Sequence, residues 1–144
     1  QAVANSFKVE ILKGLHDFTT TTGNVFKLAL YDSEATLSAS TTAYATSDEV
    51  GASGTYAAGG GALTNVTPVL SGSTAIVDFA DKSYTSATIS AQAAVIYNSS
   101  TVTGLTTNAA VCVLDFGGVK SSSAGTFTIT FPAAEATAAI LRIA

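Results

Sequence analysis

The residues that most often build hydrolytic sites are scarce in this chain. It has one histidine, His16, which is followed directly by Asp17. A hydrolytic triad needs a histidine base beside a nucleophile and an orienting acid, and no serine lies in a Gly-x-Ser-x-Gly turn. We therefore expect His16 to end a helix and to interact there with the last carbonyls and the helix dipole. We expect no catalytic residues.

The single cysteine, Cys112, lies in the apolar run Ala109–Phe116. A thiol in such a run is typically buried and inert, since reactive cysteines need a polar or positively charged setting. One histidine and one cysteine far apart in sequence cannot supply a zinc site. We expect no bound cofactor.

Carboxylates are the remaining candidates for chemistry. Asp78 and Asp81 lie near the end of a predicted strand, and Asp48 and Glu49 precede a glycine-rich loop. Oxygen ligands of this kind can bind calcium, but the spacing matches no calcium loop, so solvated turn carboxylates are the favoured interpretation, with no metal. A glycan hydrolase would need paired carboxylates in a cleft, and Asp78, Asp81 and Asp115 are the ones near predicted core strands.

Few charged residues are available anywhere in the 144-residue chain. Charged side chains make up 11% of the sequence and hydrophobic ones 47%, with a formal net charge of −4, whereas about 25% charged residues is usual. Serine and threonine hydroxyls lose less than ions do on leaving water, so this composition is typical of a surface packed against other proteins. The scattered cations argue against nucleic acid as a partner, and no long apolar run predicts a membrane span. The first residues show no secretory leader pattern.

The N-terminal segment predicts one helix, capped by Asn5 or Ser6. Its apolar residues follow at helical spacing up to Phe18, with polar residues opposite: Phe7, Ile11, Leu12, Leu15 and Phe18 on one side, Lys8, Glu10 and Lys13 on the other. This apolar stripe either packs on the domain's own sheet or forms an arm that docks on a neighbour. We assign residues 1–18 to an N-terminal arm or helix and 24–144 to a β-sandwich within a single domain.

The rest of the chain predicts strands separated by glycine and serine turns. Threonine alternates with Phe127, Ile129 and Phe131, which gives the clearest strand pattern, whereas Gly117–Gly125 reads as a turn region. The predicted strands are Val25–Tyr31, Asn65–Leu70, Thr74–Phe79, Ala87–Tyr97, Ala109–Phe116, Thr126–Phe131 and Ala139–Ile143. This pattern is mainly β and favours an antiparallel β-sandwich or jelly-roll-like domain with a short N-terminal α-helix.

Two tyrosines, Tyr44 and Tyr56, lie in polar irregular segments with no obvious core face. Exposed tyrosine is enriched at protein interfaces, so both are candidate assembly contacts; packing beneath an edge strand is the alternative. The helix stripe adds Phe7, Ile11 and Leu15 to these candidates.

Several phrases of the sequence occur in an order that resembles small virion proteins of tailed bacteriophages, a group described as structural, head-decoration or cement-like. The resemblance is carried by Asn5–Phe18, Thr22–Tyr31, Ala62–Thr67, Ala75–Asp81, Ala94–Asn98, Leu114–Gly118 and Phe131–Ala134. It implies a capsid decoration protein that binds the outer head lattice as a homo-oligomer, expected to be a trimer. The implied partners are the major capsid protein and further copies of the chain, at the capsid surface of the virion, with no nucleic acid or membrane partner. The alternative is a tail, adaptor or fibre component with a binding role.

Overall fold

The computed structural model describes residues 1–144 of the chain. One short helix lies near the N-terminus and the rest of the regular structure is β-strand. The elements are β1 (Ala2–Val3), α1 (Asn5–Leu12), β2 (Phe26–Tyr31), β3 (Gly61–Ala62), β4 (Asn65–Ser71), β5 (Thr74–Phe79), β6 (Lys82–Asn98), β7 (Ala109–Ile129) and β8 (Leu141–Ile143).

The strands form two antiparallel sheets. The larger sheet has the order β1-β7-β6-β2-β3 and the smaller one the order β4-β5-β8. The long strands β6 and β7 pair from Lys82 opposite Ile129 to Asn98 opposite Ala109. The prediction of a mainly β, antiparallel fold with a short N-terminal helix is therefore confirmed.

Aromatic side chains connect the two sheets. The ring of Phe26 on β2 lies 5.7 Å from that of Phe79 on β5, and Phe79 also contacts Phe131 at 5.8 Å. Phe18 stacks on Phe26 at 4.3 Å from the segment that follows the helix. These rings belong to one hydrophobic cluster of 29 buried residues, so α1 and both sheets share a core.

Strands with a strong local pattern lie where the sequence predicts them. Strand β5 spans Thr74–Phe79, and β2 begins one residue later than predicted. Phe127, Ile129 and Phe131 are all buried, while the alternating threonines are exposed. Alternation of this kind is sufficient to predict a strand, because it identifies both the strand and the face that is buried.

The turn predicted at Gly117–Gly125 is wrong, since this segment lies inside the 21-residue strand β7. Gly117 and Gly118 have φ values of 70° and 140°, and the register shifts between Asp115, opposite Ala93, and Lys120, opposite Ala91. The glycines thus form a bulge that bends the strand instead of ending it. The bend brings the rings of Phe116 and Phe127 within 6.4 Å.

The helix is shorter than predicted. It ends at Leu12, and Gly14 with φ 69° turns the chain away. The N-cap is Ala4, which makes no side-chain cap, and not Asn5 or Ser6. Glu10, which we expected on the polar side, is buried. A residue in the left-handed region ends a helix most readily where glycine removes the steric cost.

Candidate functional site

A buried polar network attaches helix α1 to the larger sheet. His16 Nε2 lies 3.0 Å from Glu10 Oε2, and His16 Nδ1 lies 3.1 Å from Asn98 Nδ2. Asn98 also donates to Asn24 Oδ1 at 2.8 Å, and its own Oδ1 accepts the amide of Ser100. His16, predicted at a helix end among free carbonyls, is instead buried and folds back onto Glu10.

The network fixes the protonation of His16. Asn98 is oriented by its other two bonds, so its Nδ2 donates to Nδ1 of His16 and the ring proton lies on Nε2, which donates to Glu10. Burial lowers the pKa of His16 below its ordinary value, and the hydrogen bond and charge of Glu10 offset only part of this effect. His16 is therefore a neutral structural histidine, which holds the helix in place.

An apolar groove lies between α1 and the smaller sheet. Its volume is about 620 Å³, and 10 of its 15 lining residues are hydrophobic. Ile11 and Leu12 form the helical wall, and Ala75, Val77 and Ile143 form the sheet wall. Apolar concavities of this size are common binding sites.

Large apolar side chains at and beside the rim of this groove are unusually exposed. Leu12 is 88% exposed, Leu70 on the adjacent strand β4 is 70% exposed and Ile143 is 65% exposed. Leu70, Ala75 and Ile143 share one face of the smaller sheet because they are direct cross-strand neighbours. Contiguous apolar exposure of this kind marks an interaction surface.

All five tyrosines of the chain gather on the other side of the fold, near Glu49: Tyr31, Tyr44, Tyr56, Tyr84 and Tyr97. Glu49 accepts hydrogen bonds from Tyr44 at 2.5 Å, from Tyr56 at 2.8 Å and from the Gly59 amide at 2.7 Å. The ring of Tyr44 also stacks on that of Tyr97 at 4.8 Å. This tyrosine cluster attaches residues 43–61 to the larger sheet.

The phenols of the tyrosine cluster remain protonated. Burial, together with the charge of Glu49, raises the pKa of Tyr84 and of Tyr97 to about 12. The same two causes raise the pKa of Tyr44 and Tyr56, and burial is the main cause for Tyr31. Each phenol can therefore donate its proton to a hydrogen bond at ordinary pH, so the cluster is a set of satisfied structural contacts.

The predicted assembly contacts occupy different environments. Tyr56 is 2% exposed and Phe7 is 6% exposed, so both lie in the core and offer little area to a partner. Tyr44 and Leu15 are half-buried, and Ile11 lines the groove. The sequence-based choice overlooked Leu12, Leu70 and Ile143 as exposed residues, although the adjacent apolar pair Val69 and Leu70 in a strand is a signal that one of them must face outwards.

Of the carboxylates considered for calcium or hydrolysis, Asp81, Asp115 and Glu49 accept hydrogen bonds within the chain, whereas Asp78 Oδ1 is buried without a partner. Asp81 accepts the Phe131 amide at 2.9 Å and Asp115 accepts the Gly117 amide at 2.8 Å, as turn and bulge carboxylates commonly do. Burial raises the pKa of Asp78 on β5. Glu49 is not the solvated turn residue that we expected. No group of three or more His, Cys, Asp or Glu side chains is placed to hold a metal ion.

Cys112 lies in the core, as the sequence predicts, and burial raises the pKa of its thiol to about 12. The thiolate is thus disfavoured, which makes the residue inert. The one helix is too short and not apolar enough to cross a membrane.

No family model, curated protein or solved structure matches this chain.

Proposed function

We propose that this protein is a structural component of a tailed-phage virion, a decoration protein that binds the outer lattice of the head as a homo-oligomer. In this role it needs no catalytic centre. Its work is to cover and hold neighbouring capsid subunits through many small contacts, whose energies combine because each oligomer contacts several subunits at once.

The observation that carries the proposal is where the exposed apolar side chains lie. Six of the eight large ones are on α1 or the smaller sheet: Val9, Leu12, Val66, Val69, Leu70 and Ile143. Burying one such side chain contributes about 1.5–3 kcal/mol. A domain that remained alone in water would leave this stabilisation unused and would risk aggregation.

The hydroxyl surface of the β6–β7 ribbon also supports the proposal. Ser83 bonds Thr128 across the strands at 2.9 Å, and Ser90 faces Ser121 at 3.5 Å. All four side chains are exposed. Such a face can be covered by another subunit at a small desolvation cost, and its affinity would depend little on salt.

Labelling of intact particles tests the location. Gold-labelled antibody against the chain is applied to purified virions and viewed by electron microscopy. We expect label over the head. Label only at the tail or fibres supports the alternative virion role, and particles without the protein contradict the proposal.

Reconstitution tests the surface. Heads stripped of the protein are mixed with the wild-type chain or with Leu70→Asp, and the temperature of DNA release is measured. We expect the wild-type chain to raise this temperature and Leu70→Asp to fail. Val25→Asp is the matched control, because Val25 is 49% exposed just before β2, outside both the groove and the β6–β7 ribbon, and it should behave as wild type.

A further inference from the structure

We propose that the apolar groove is filled by a second copy of this chain, with Leu12 of one copy inserted into the groove of the next. This inference rests on the proposed function and names the self-contact through which the homo-oligomer forms. The occupant is a copy of the chain because each copy carries a highly exposed apolar side chain beside an apolar recess, with charges of both signs at the recess.

Leu12 gives each copy an exposed apolar side chain beside its own cavity. Leu12 is the most exposed large hydrophobic residue of the chain, at 88%, and it projects at the edge of a groove of about 620 Å³. Every copy therefore presents one apolar projection and one apolar recess. Surfaces of this type associate with themselves, either as a reciprocal pair or as a closed ring.

Lys8 and Asp17 also line the groove. Neither has an oppositely charged partner within the chain, where the one close contact of this type is the hydrogen bond between the neutral His16 and Glu10. Lys8 bonds only the neutral Asn5 side chain, and Asp17 bonds the Thr19 amide. Equal and opposite charges at the edge of one groove allow Lys8 of one copy to face Asp17 of the next.

The other ionisable side chains at the groove already form hydrogen bonds within the chain. The guanidinium of Arg142 donates to the carbonyls of Ala136 and Thr137, at 3.2 and 2.7 Å. His16 and Glu10 bond each other in the buried network. Arg142 keeps its positive charge, but its Nη1 is already bound within the chain, so Lys8 and Asp17 are the charged side chains of the groove that remain open to pair with another copy.

Sedimentation equilibrium of the full chain tests the apolar contact. We expect the wild-type chain to self-associate and Leu12→Asp to weaken the association constant by about 100-fold, since a charge would enter an apolar recess. Val25→Asp introduces the same charge at an exposed site outside the groove and should leave the association constant unchanged. Thermal unfolding shows whether each variant is folded, and Leu12→Ala, which introduces no charge, should weaken association by about tenfold.

Charge reversal tests the identity of the partner. Lys8→Glu and Asp17→Lys alone should each weaken self-association, by about tenfold for Lys8→Glu. Mixing the two variants should restore it, because the altered charges then face each other in the mixed contact. Recovery on mixing is expected only if one copy contacts another at this edge.

A wild-type chain that stays monomeric at millimolar concentration overturns the inference. Association that is unaffected by both Leu12→Asp and the charge reversals overturns it too. So does a groove whose side chains are protected from hydroxyl radicals only when another virion protein is added. A monomeric chain would also contradict the homo-oligomer of the proposed function, whereas the other outcomes leave that function standing; in each case head binding is measured separately by the reconstitution. Conversely, the chain could self-associate, respond to these substitutions as expected and yet never bind heads. That result would contradict the proposed function and support the inference.

Discussion

The two sides of this fold use their surfaces in opposite ways. Around Glu49, five tyrosines and the loop of residues 43–61 fill the space and satisfy their polar groups within the chain. Beside α1, an apolar groove of about 620 Å³ stays open, with Leu12 exposed in its wall and Leu70 exposed next to the lining residue Ala75. The first region closes the fold, and the second leaves apolar area for another molecule.

The largest loss of stability is expected on substituting a glycine that packs the loop of the tyrosine cluster against β2. Gly60 has φ 70°, and a Cβ there would lie 2.0 Å from the Leu28 carbonyl oxygen. Gly60→Ala should cost about 3 kcal/mol or more of unfolding free energy, because backbone must move as well as adopt a strained φ. Urea unfolding measures the loss.

Gly72→Ala is the matched control for that variant. Gly72 has φ 61° but open space around its Cβ position, so it should lose only about 1 kcal/mol from backbone strain. Equal losses at the two glycines would contradict the close packing of the Gly60 turn on β2.

The next effect concerns a single hydroxyl of the tyrosine cluster. Tyr56→Phe removes the donor to Glu49 and the acceptor of the Leu30 amide, which lies 2.9 Å away. A buried amide without a partner should reduce stability by about 2 kcal/mol, as measured by urea unfolding. A loss below about 0.5 kcal/mol would mean that water replaces the hydroxyl and that the cluster is less tightly closed.

A smaller, pH-dependent effect should come from the network that holds α1. The pKa of His16 is lowered in the folded state, so between its ordinary value of about 6.5 and the folded value, the unfolded chain binds more protons. Stability should therefore fall as pH drops below about 6.5 and recover above it. Unfolding measured from pH 7.5 to 5 shows the slope, and the one imidazole signal gives the folded pKa by NMR.

His16→Gln, which cannot titrate, serves as the control and should flatten the slope over that range. A pKa of His16 above 6.5 in the folded state would mean that Glu10 stabilises the protonated ring. That would contradict the assignment of His16 as a neutral imidazole that accepts a hydrogen bond from Asn98.

The smallest effect on stability is expected at the rim of the groove. Leu70 is 70% exposed, so Leu70→Thr should change unfolding free energy by less than about 0.5 kcal/mol while weakening attachment to heads. Equilibrium unfolding and head binding, measured on the same preparation, separate the two properties. A large loss of stability would show that the rim belongs to the core.

Local pattern explains which parts of the fold were predictable. Alternation placed Thr74–Phe79 and the buried face of Phe127, Ile129 and Phe131 correctly. The bulge at Gly117 could not be separated from a turn, because both need a glycine at positive φ. Only the pairing of β7 with β6 on both sides of the bulge distinguishes them.

The tyrosine cluster and the region around α1 depend on contacts between residues far apart in the sequence, which a local pattern does not contain. Tyr31 lies next to Glu49 through an isolated antiparallel bridge, and Tyr97 comes near both because β6 pairs with β2 in the larger sheet. Burial of Glu10 depends on the distant Asn98, which holds His16. The position of the apolar groove depends on the helix ending at Leu12 and on the smaller sheet facing it, and composition contains neither.

Hydroxyl-radical footprinting of the protein on intact virions, compared with the isolated chain, tests most directly whether neighbouring subunits cover the open groove. Leu12, Leu70 and Ile143 should react readily in the isolated chain and be strongly protected on the particle, with Val25 as the reference for exposed side chains away from the groove. Equal reactivity of the three residues in both samples would contradict the account.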